Sequence, residues 1–227
     1  MLIRRVYKKC TGLCGSDLAL PFNASTIVRA MHQLLKPADY VRMPWKDGGG
    51  NTTEIVAHPA GSTLSTFDWR VSIADISADG PFSRFPGVDR VIALLSGAGM
   101  RLAGDAHAVE LRAPFEPYAF SGEDAVSCSL VDGPVRDFNL MLRRGRVAGR
   151  IVVVRDAAAR IAPARWRICH AAGGAIECLV PGHPPVAVAL DDTVVFEDEN
   201  GAAGGALAIN PLTAGAAAIV SVIEPVA

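Results

Sequence analysis

A chain of 227 residues, half of them apolar and a fifth charged, has the composition of an ordinary globular protein of one or two domains. A chain of this size buries most of its unfolded surface and needs no disulfide staples. The net charge of −1 conceals a basic start (Arg4, Arg5, Lys8, Lys9 and Arg29 against Asp17) and a mildly acidic remainder, which argues against a phosphate backbone as partner.

Residues 1–24 have no clear period and read as a loosely attached, solvated leader, with Met31 as an alternative start. Within it Cys10 and Cys14 have the spacing of half a zinc site, but no second Cys or His pair follows nearby. With Cys128, Cys169 and Cys178 the cysteines are odd in number and scattered, which suits a reducing cytoplasm rather than a disulfide framework. No apolar signal-peptide region follows the basic start, and no run approaches the roughly 20 apolar residues of a membrane span. The expectations are a cytoplasmic protein with no nucleic-acid and no membrane partner.

Ser25-Thr26 can cap a short helix over Ile27–Leu35, stopped by Lys36-Pro37. A strand follows at Tyr40–Trp45. The glycines of Trp45-Lys46-Asp47-Gly48-Gly49-Gly50 permit a sharp turn or close approach to a ligand, but no Lys follows them as a P-loop requires. The bland reading is a plain turn, and the functional one is a pocket rim. Thr52–Ala57 is rich in β-branched residues and reads as a strand.

From Phe67 the chain alternates: Phe67, Trp69, Val71 and Ile73 on one side, Asp68, Arg70, Ser72 and Ala74 on the other, the pattern of a strand with one apolar face. Gly80-Pro81 and Pro86-Gly87 mark turns, and Val88-Asp89-Arg90 feeds the apolar run Val91–Leu95. Further strands are expected at Met100–Ala103, Ala108–Leu111 and Val126–Val131, with Pro114–Phe120 a loop or edge strand. Asp137–Leu142 alternates too, with Asp137, Asn139 and Met141 on one face. Arg143–Arg150 is a candidate crossover, beyond which seven more short strands run from Ile151 to Ile223. Many short strands separated by turn residues make this an all-β sandwich or barrel. Two such halves suggest a duplicated barrel, although no residue-level repeat links them.

The histidines, His32, His58, His107, His170 and His183, are isolated, which favours structural or surface roles over a metal site. There is no Gly-x-Ser-x-Gly elbow, Ser72 has no identifiable base, and Cys128 alternates with core residues. The carboxylates Glu54, Asp68, Asp75, Asp79, Asp89 and Asp137 are candidates for acid–base work. Arginines stand beside several of them: Arg70 near Asp68, Arg90 beside Asp89, Arg136 beside Asp137. Two readings stay open. The arginines belong to a structural ion-pair network, or Arg70 or Arg90 is free to take a ligand carboxylate in a bidentate fork.

Four blocks in order, MPWKDGGG from Met43, FDWRVSIAD from Phe67, GPFSRFPGVDR from Gly80 and DFNLM from Asp137, resemble the HutD/Ves family. The resemblance implies a cupin-type (RmlC-like jelly-roll) β-barrel, two of them packed as a bicupin, and an association with bacterial histidine utilisation. It implies a binder of a small anionic metabolite such as urocanate or N-formylglutamate, with no metal signature and no cofactor. In that family Asn usually precedes the triple glycine. Here it is Asp47, which when ionised only accepts hydrogen bonds.

On this reading residues 1–34 are a leader with a short helix outside the resemblance. Residues 35–145 form a first barrel and 146–227 a second, with strands exchanged between the halves. Trp45 and Phe85 are apolar walls of the site, Arg70 and Arg90 carboxylate partners, Ser72 and Asn139 neutral hydrogen-bonders, and Asp47 a rim residue. The rival readings are a cupin enzyme, either a metal-dependent oxygenase or a metal-free isomerase, and an interaction module whose exposed sheet pairs with itself, as a homodimer, or with a partner.

Overall fold

The computed structural model describes residues 31–104, 107–199 and 205–226. Among these, nineteen strands, numbered in chain order, and one short 3-10 turn make four antiparallel sheets. A six-stranded sheet runs in the order β2 (Val41–Pro44), β3 (Gly50–His58), β4 (Trp69–Ile76), β11 (Val135–Arg143), β6 (Val88–Ser96), β9 (Pro117–Ser121). A small sheet of β5 (Gly80–Pro81), β10 (Ser127–Leu130), β7 (Met100–Gly104) and β8 (His107–Leu111) covers one of its faces. In the second half a five-stranded sheet is ordered β1 (Met31–Leu35), β17 (Thr193–Glu197), β14 (Trp166–Ala171), β19 (Ala217–Pro225), β12 (Val147–Arg155). It is covered by β13 (Ala159–Ile161), β18 (Leu207–Pro211), β15 (Ile176–Leu179) and β16 (Val186–Val188).

Three apolar clusters arrange these sheets in four layers. Ile92, Leu94, Met100, Leu102 and Val126 fill the first half between its two sheets. Cys169, Cys178, Val194, Leu207 and Val220 do the same in the second half. Between the two large sheets lies a third core of Trp69, Val71, Phe138, Leu140, Trp166, Ile168 and Ile219. The central strands of the large sheets are therefore buried on both faces. This is why β19 reads as a nearly unbroken apolar run, where a half-exposed strand would alternate.

β4 and β11 are hydrogen-bonded neighbours, with Arg70 opposite Met141 and Ser72 opposite Asn139. Their apolar faces, Trp69, Val71 and Ile73 with Phe138, Leu140 and Leu142, point to the second half. Their polar faces point into the first. The inward face that the alternation left open is thus the polar one: the core between the large sheets takes the aromatics, and the space between the sheets of the first half takes the arginines, as the candidate site requires.

Three local expectations change. Residues 31–35 are strand β1, paired with β17 from Met31–Glu197 to Leu35–Thr193, and are not the end of a helix. A nine-residue helix is marginal alone, and a full ladder along an open sheet edge outweighs it. The leader and Ile27–Ala30 lie outside the described residues. Gly80-Pro81, expected as a turn, pairs with Ser127-Cys128 as β5. The arginine-rich segment after β11 is a tight connection of residues 144–146, with Gly145 at φ +78°, while Gly149 and Arg150 already belong to β12.

Candidate functional site

The first half contains a cavity of about 490 Å³ that is open at one side. All seven side chains expected at the site, Trp45, Asp47, Arg70, Ser72, Phe85, Arg90 and Asn139, line it. They arrive from different elements. β4 supplies Arg70 and Ser72, β6 supplies Arg90, and β11 supplies Asn139 together with Asp137 and Met141. The alternation of the three central strands places these groups side by side on one inner wall.

Two arginine clusters make the polar floor. Arg70, 4% exposed, is held by Glu54 of β3: its Nε lies 2.6 Å from Oε2. Its Nη1 donates to Ser72 Oγ at 3.1 Å and touches Met141 Sδ at 3.8 Å. Arg90, 7% exposed, donates from Nε and Nη2 to Asn139 Oδ1 at 3.3 and 3.2 Å. Asn139 Nδ2 donates in turn to Asp137 Oδ2 at 3.1 Å. Among the described residues no carboxylate lies within 4.0 Å of Arg90, and three phenyl rings surround it instead. Its guanidinium carbon is 5.1, 5.7 and 4.9 Å from the ring centres of Phe82, Phe85 and Phe120.

Burial shifts both ends of this chain of bonds. The Arg90 guanidinium is pushed down to about 10 by desolvation, opposed by the charge of Asp137, and so remains cationic near neutrality. The Asp137 carboxyl, 1% exposed, is pushed up to about 7 by desolvation, with Arg90 and the Asn139 hydrogen bond pulling the other way. Its Oδ1 is buried without a hydrogen-bond partner. A carboxyl that burial raises toward neutrality inside a cavity is a chemically poised group.

The rim comes from the glycine turn. Trp45 Nε1 donates to Thr52 Oγ1 at 2.8 Å, which fixes the indole across the mouth. Asp47 Oδ1 accepts from the Gly49 N–H at 3.0 Å, so the acidic side chain closes its own turn. Asn offers the same acceptor oxygen, so the turn does not require the charge. Gly48 has φ +74°, which favours glycine by backbone conformation alone, whereas a Cβ on Gly50 would collide with the Asp75 carbonyl oxygen, so Gly50 is sterically demanded.

The ion pairs expected between sequence neighbours do not form. Asp68 pairs with Arg146 at 3.4 Å, Asp89 with Arg144 at 2.7 Å, and Arg136 with Asp75 and Asp191 at 3.2 and 3.5 Å. Adjacent strand residues point to opposite faces, so Asp89 and Arg136 look outward while Arg90 and Asp137 look inward. Asp137, Glu54, Phe82 and Phe120 are site groups that sequence reasoning did not place there. For Asp137 the signal existed, since it alternates with Asn139 and Met141. For Phe82 and Phe120 no local signal exists, because their meeting over Arg90 depends on how segments distant in sequence pack together.

The histidines are dispersed. His58 stacks on Trp69 at 5.6 Å, and His170 is buried, with Nδ1 3.0 Å from Thr193 Oγ1 and its pKa pushed down to about 4 by desolvation. Among the described residues no three His, Cys, Asp or Glu side chains gather as a metal site. No helix among them is long and apolar enough to cross a membrane.

Four stacked antiparallel sheets with an arginine-floored cavity inside one half define an all-β protein. The Escherichia coli protein Ylba, of family DUF861, has the same fold at 10% identity, with a TM-score of 0.57 over 86% of this chain and 93% of that one. Closer relatives give the family: residues 37–215 match HutD, and the chain belongs to the HutD family. An uncharacterised 21.2 kDa protein of the hutC 3' region in Pseudomonas putida is 41% identical over 165 residues, 73% of this chain and 86% of that protein. Protein Ves of Cronobacter sakazakii is 36% identical over 60% of this chain and 76% of its own length. The solved HutD of Pseudomonas fluorescens, in a formate condition, is 35% identical, with a TM-score of 0.72 covering 87% of this chain and all of that one (100%).

Proposed function

We propose that this protein is a non-catalytic, cytoplasmic binder of a small carboxylate-bearing metabolite that supports or regulates histidine catabolism, and that its two halves are two cupin barrels of which the first holds the site. The observation that carries the ligand class is Arg90. A buried guanidinium that keeps its charge calls for an anion, and this one has only a neutral amide as acceptor while facing a cavity. Arg90 Nη1 and Arg70 Nη2 make no hydrogen bond among the described residues and are available as donors. The cavity, about 490 Å³, falls in the size range of small-molecule sites. The family's association with histidine utilisation supports urocanate and N-formylglutamate as first candidates.

Titration calorimetry of the purified protein with urocanate, N-formylglutamate and formiminoglutamate tests this. The expected result is saturable heat with at least one, weakened about tenfold or more in Arg90→Lys, which keeps the charge but loses the planar fork. Absence of heat with all three at high protein concentration overturns the ligand class.

A second reading, an enzyme acting on such a metabolite, is favoured by one observation: the poised carboxyl of Asp137 in the same cavity. Incubating the protein with each candidate and following it by NMR separates the two. Unchanged spectra are expected, and turnover lost in Asp137→Asn would establish the enzyme instead.

A further inference from the structure

The charges of the cavity floor do not balance in the same way at its two arginines. Arg70 is neutralised directly by Glu54 at 2.6 Å. Arg90 is matched by Asp137 alone, and only through Asn139, whose amide accepts from Arg90 and donates to Asp137. An anion that occupies Arg90 duplicates the charge of Asp137 inside a poorly solvated space. Two negative charges sharing one cation in such a space are unfavourable, and the carboxyl is the member that can shed its charge.

Resting on the ligand class above, we propose that the cavity takes its carboxylate together with a proton, with Asp137 as the acceptor of that proton and Asn139 as the bridge that couples it to Arg90. Empty and above neutral pH, the floor is Arg90 cation and Asp137 anion with an amide between them. Occupied, it is Arg90 cation and ligand anion, with Asp137 neutral. The proton comes from solvent and the net charge of the site is unchanged. Asp137 is thus a specificity group: it admits an anion at the cost of a proton and does not tax a neutral molecule of the same shape.

The neighbours of Asp137 permit this. From β6 it meets Arg90, and from β4 the nearest charges are Arg70, already paired with Glu54, and Asp75, which lies toward the outer face and is engaged by Arg136 at 3.2 Å. Across the barrel β10 presents Cys128, whose thiol is pushed up to about 12 by burial and stays neutral. The rim charges Lys46 and Asp47 stand at the opening. No second cation reaches the carboxyl to hold it ionised once Arg90 is taken. Oδ1 of Asp137, buried without a geometrically sound hydrogen-bond partner, adds to the cost of its charge, which its own backbone N–H offsets only in part.

The test is calorimetry of the full chain with N-formylglutamate and with urocanate at about pH 7 and about pH 9, a window in which ligand carboxylates hold a constant charge. Each titration is run in buffers of different ionisation heat, which yields the protons taken up. For wild type, uptake rising toward about one proton per ligand is expected, with affinity falling up to about tenfold per pH unit. In Asp137→Asn the uptake disappears, the pH profile flattens, and binding at the higher pH is tighter than in wild type. A merely structural role for Asp137 predicts a loss at both pH values, so a gain is diagnostic. Binding without proton uptake, or the same pH slope in Asp137→Asn, overturns the proposal and leaves the carboxylate reading standing. No binding of either probe at either pH overturns both.

Discussion

At the scale of single residues, the first half keeps a costly group. Asp137 is buried beside an arginine that it does not touch, and its pKa of about 7 compares with an ordinary value of 3.8. A carboxyl raised in the folded state holds its proton there while the unfolded chain has released it. Its contribution to stability is complete below about pH 4 and is lost as pH rises through about 7. The loss is on the order of a few kcal/mol. Asp137→Asn removes this slope, so the variant should gain on wild type between about pH 5 and about pH 8 in urea unfolding. A gap between the two proteins that stays constant across that window would show that the carboxyl is not protonated in the fold. His170, buried with a lowered pKa, acts on both proteins alike and drops out of the difference.

At the scale of elements, the site was legible wherever polar residues alternate within an apolar strand. Arg70 with Ser72, and Asn139 two residues after Asp137, marked the polar face of β4 and β11 by period alone. Period does not say which face is inward, and a polar face turned inward runs against the general preference for apolar interiors. The reason is the second half: a sheet with a core behind it can spend its apolar face there and its polar face on a cavity. β1 was not legible because its partner strand lies far downstream in sequence, and β5 and β13 are too short to show a period. The glycine turn was read as a rim from composition, and its geometry makes the demand specific. A methyl at Gly50 meets the Asp75 carbonyl and stands 3.1 Å from the Trp45 ring, whereas a Cβ at Gly48 meets nothing. Gly50→Ala should therefore cost about 1–3 kcal/mol and alter the Trp45 fluorescence. Gly48→Asn, which accepts a positive φ, should be close to neutral. Equal effects of the two in urea unfolding would mean that the turn is not held against β4.

At the scale of the molecule, the two halves share their largest sheets' inner faces, and this fixes how the chain comes apart. Trp69, Phe138 and Leu140 of the first half lie against Trp166, Ile168 and Ile219 of the second with almost no exposure. Separating the halves uncovers that core on both sides at once, so neither half has a reason to outlive the other. Strand β1 strengthens the link, since the chain begins its described course in the second half's sheet before entering the first. One cooperative transition is expected in denaturant, with tryptophan fluorescence and far-UV circular dichroism coinciding. The fluorescence samples the shared core through Trp69 and Trp166 and the first half's cavity through Trp45, and the circular dichroism samples all four sheets. Phe138→Ala, made at a fully buried position of that core, should lower the stability of the whole by about 3–5 kcal/mol while keeping a single transition. The decisive contrast is with a substitution in an outer core. Leu207→Ala removes contacts from the second half alone, yet under this coupling it too shifts the one transition and both probes together. If Leu207→Ala instead splits the curves, with the dichroism moving and the central tryptophans lagging, the shared core is too weak to join the halves, and each barrel folds as its own unit.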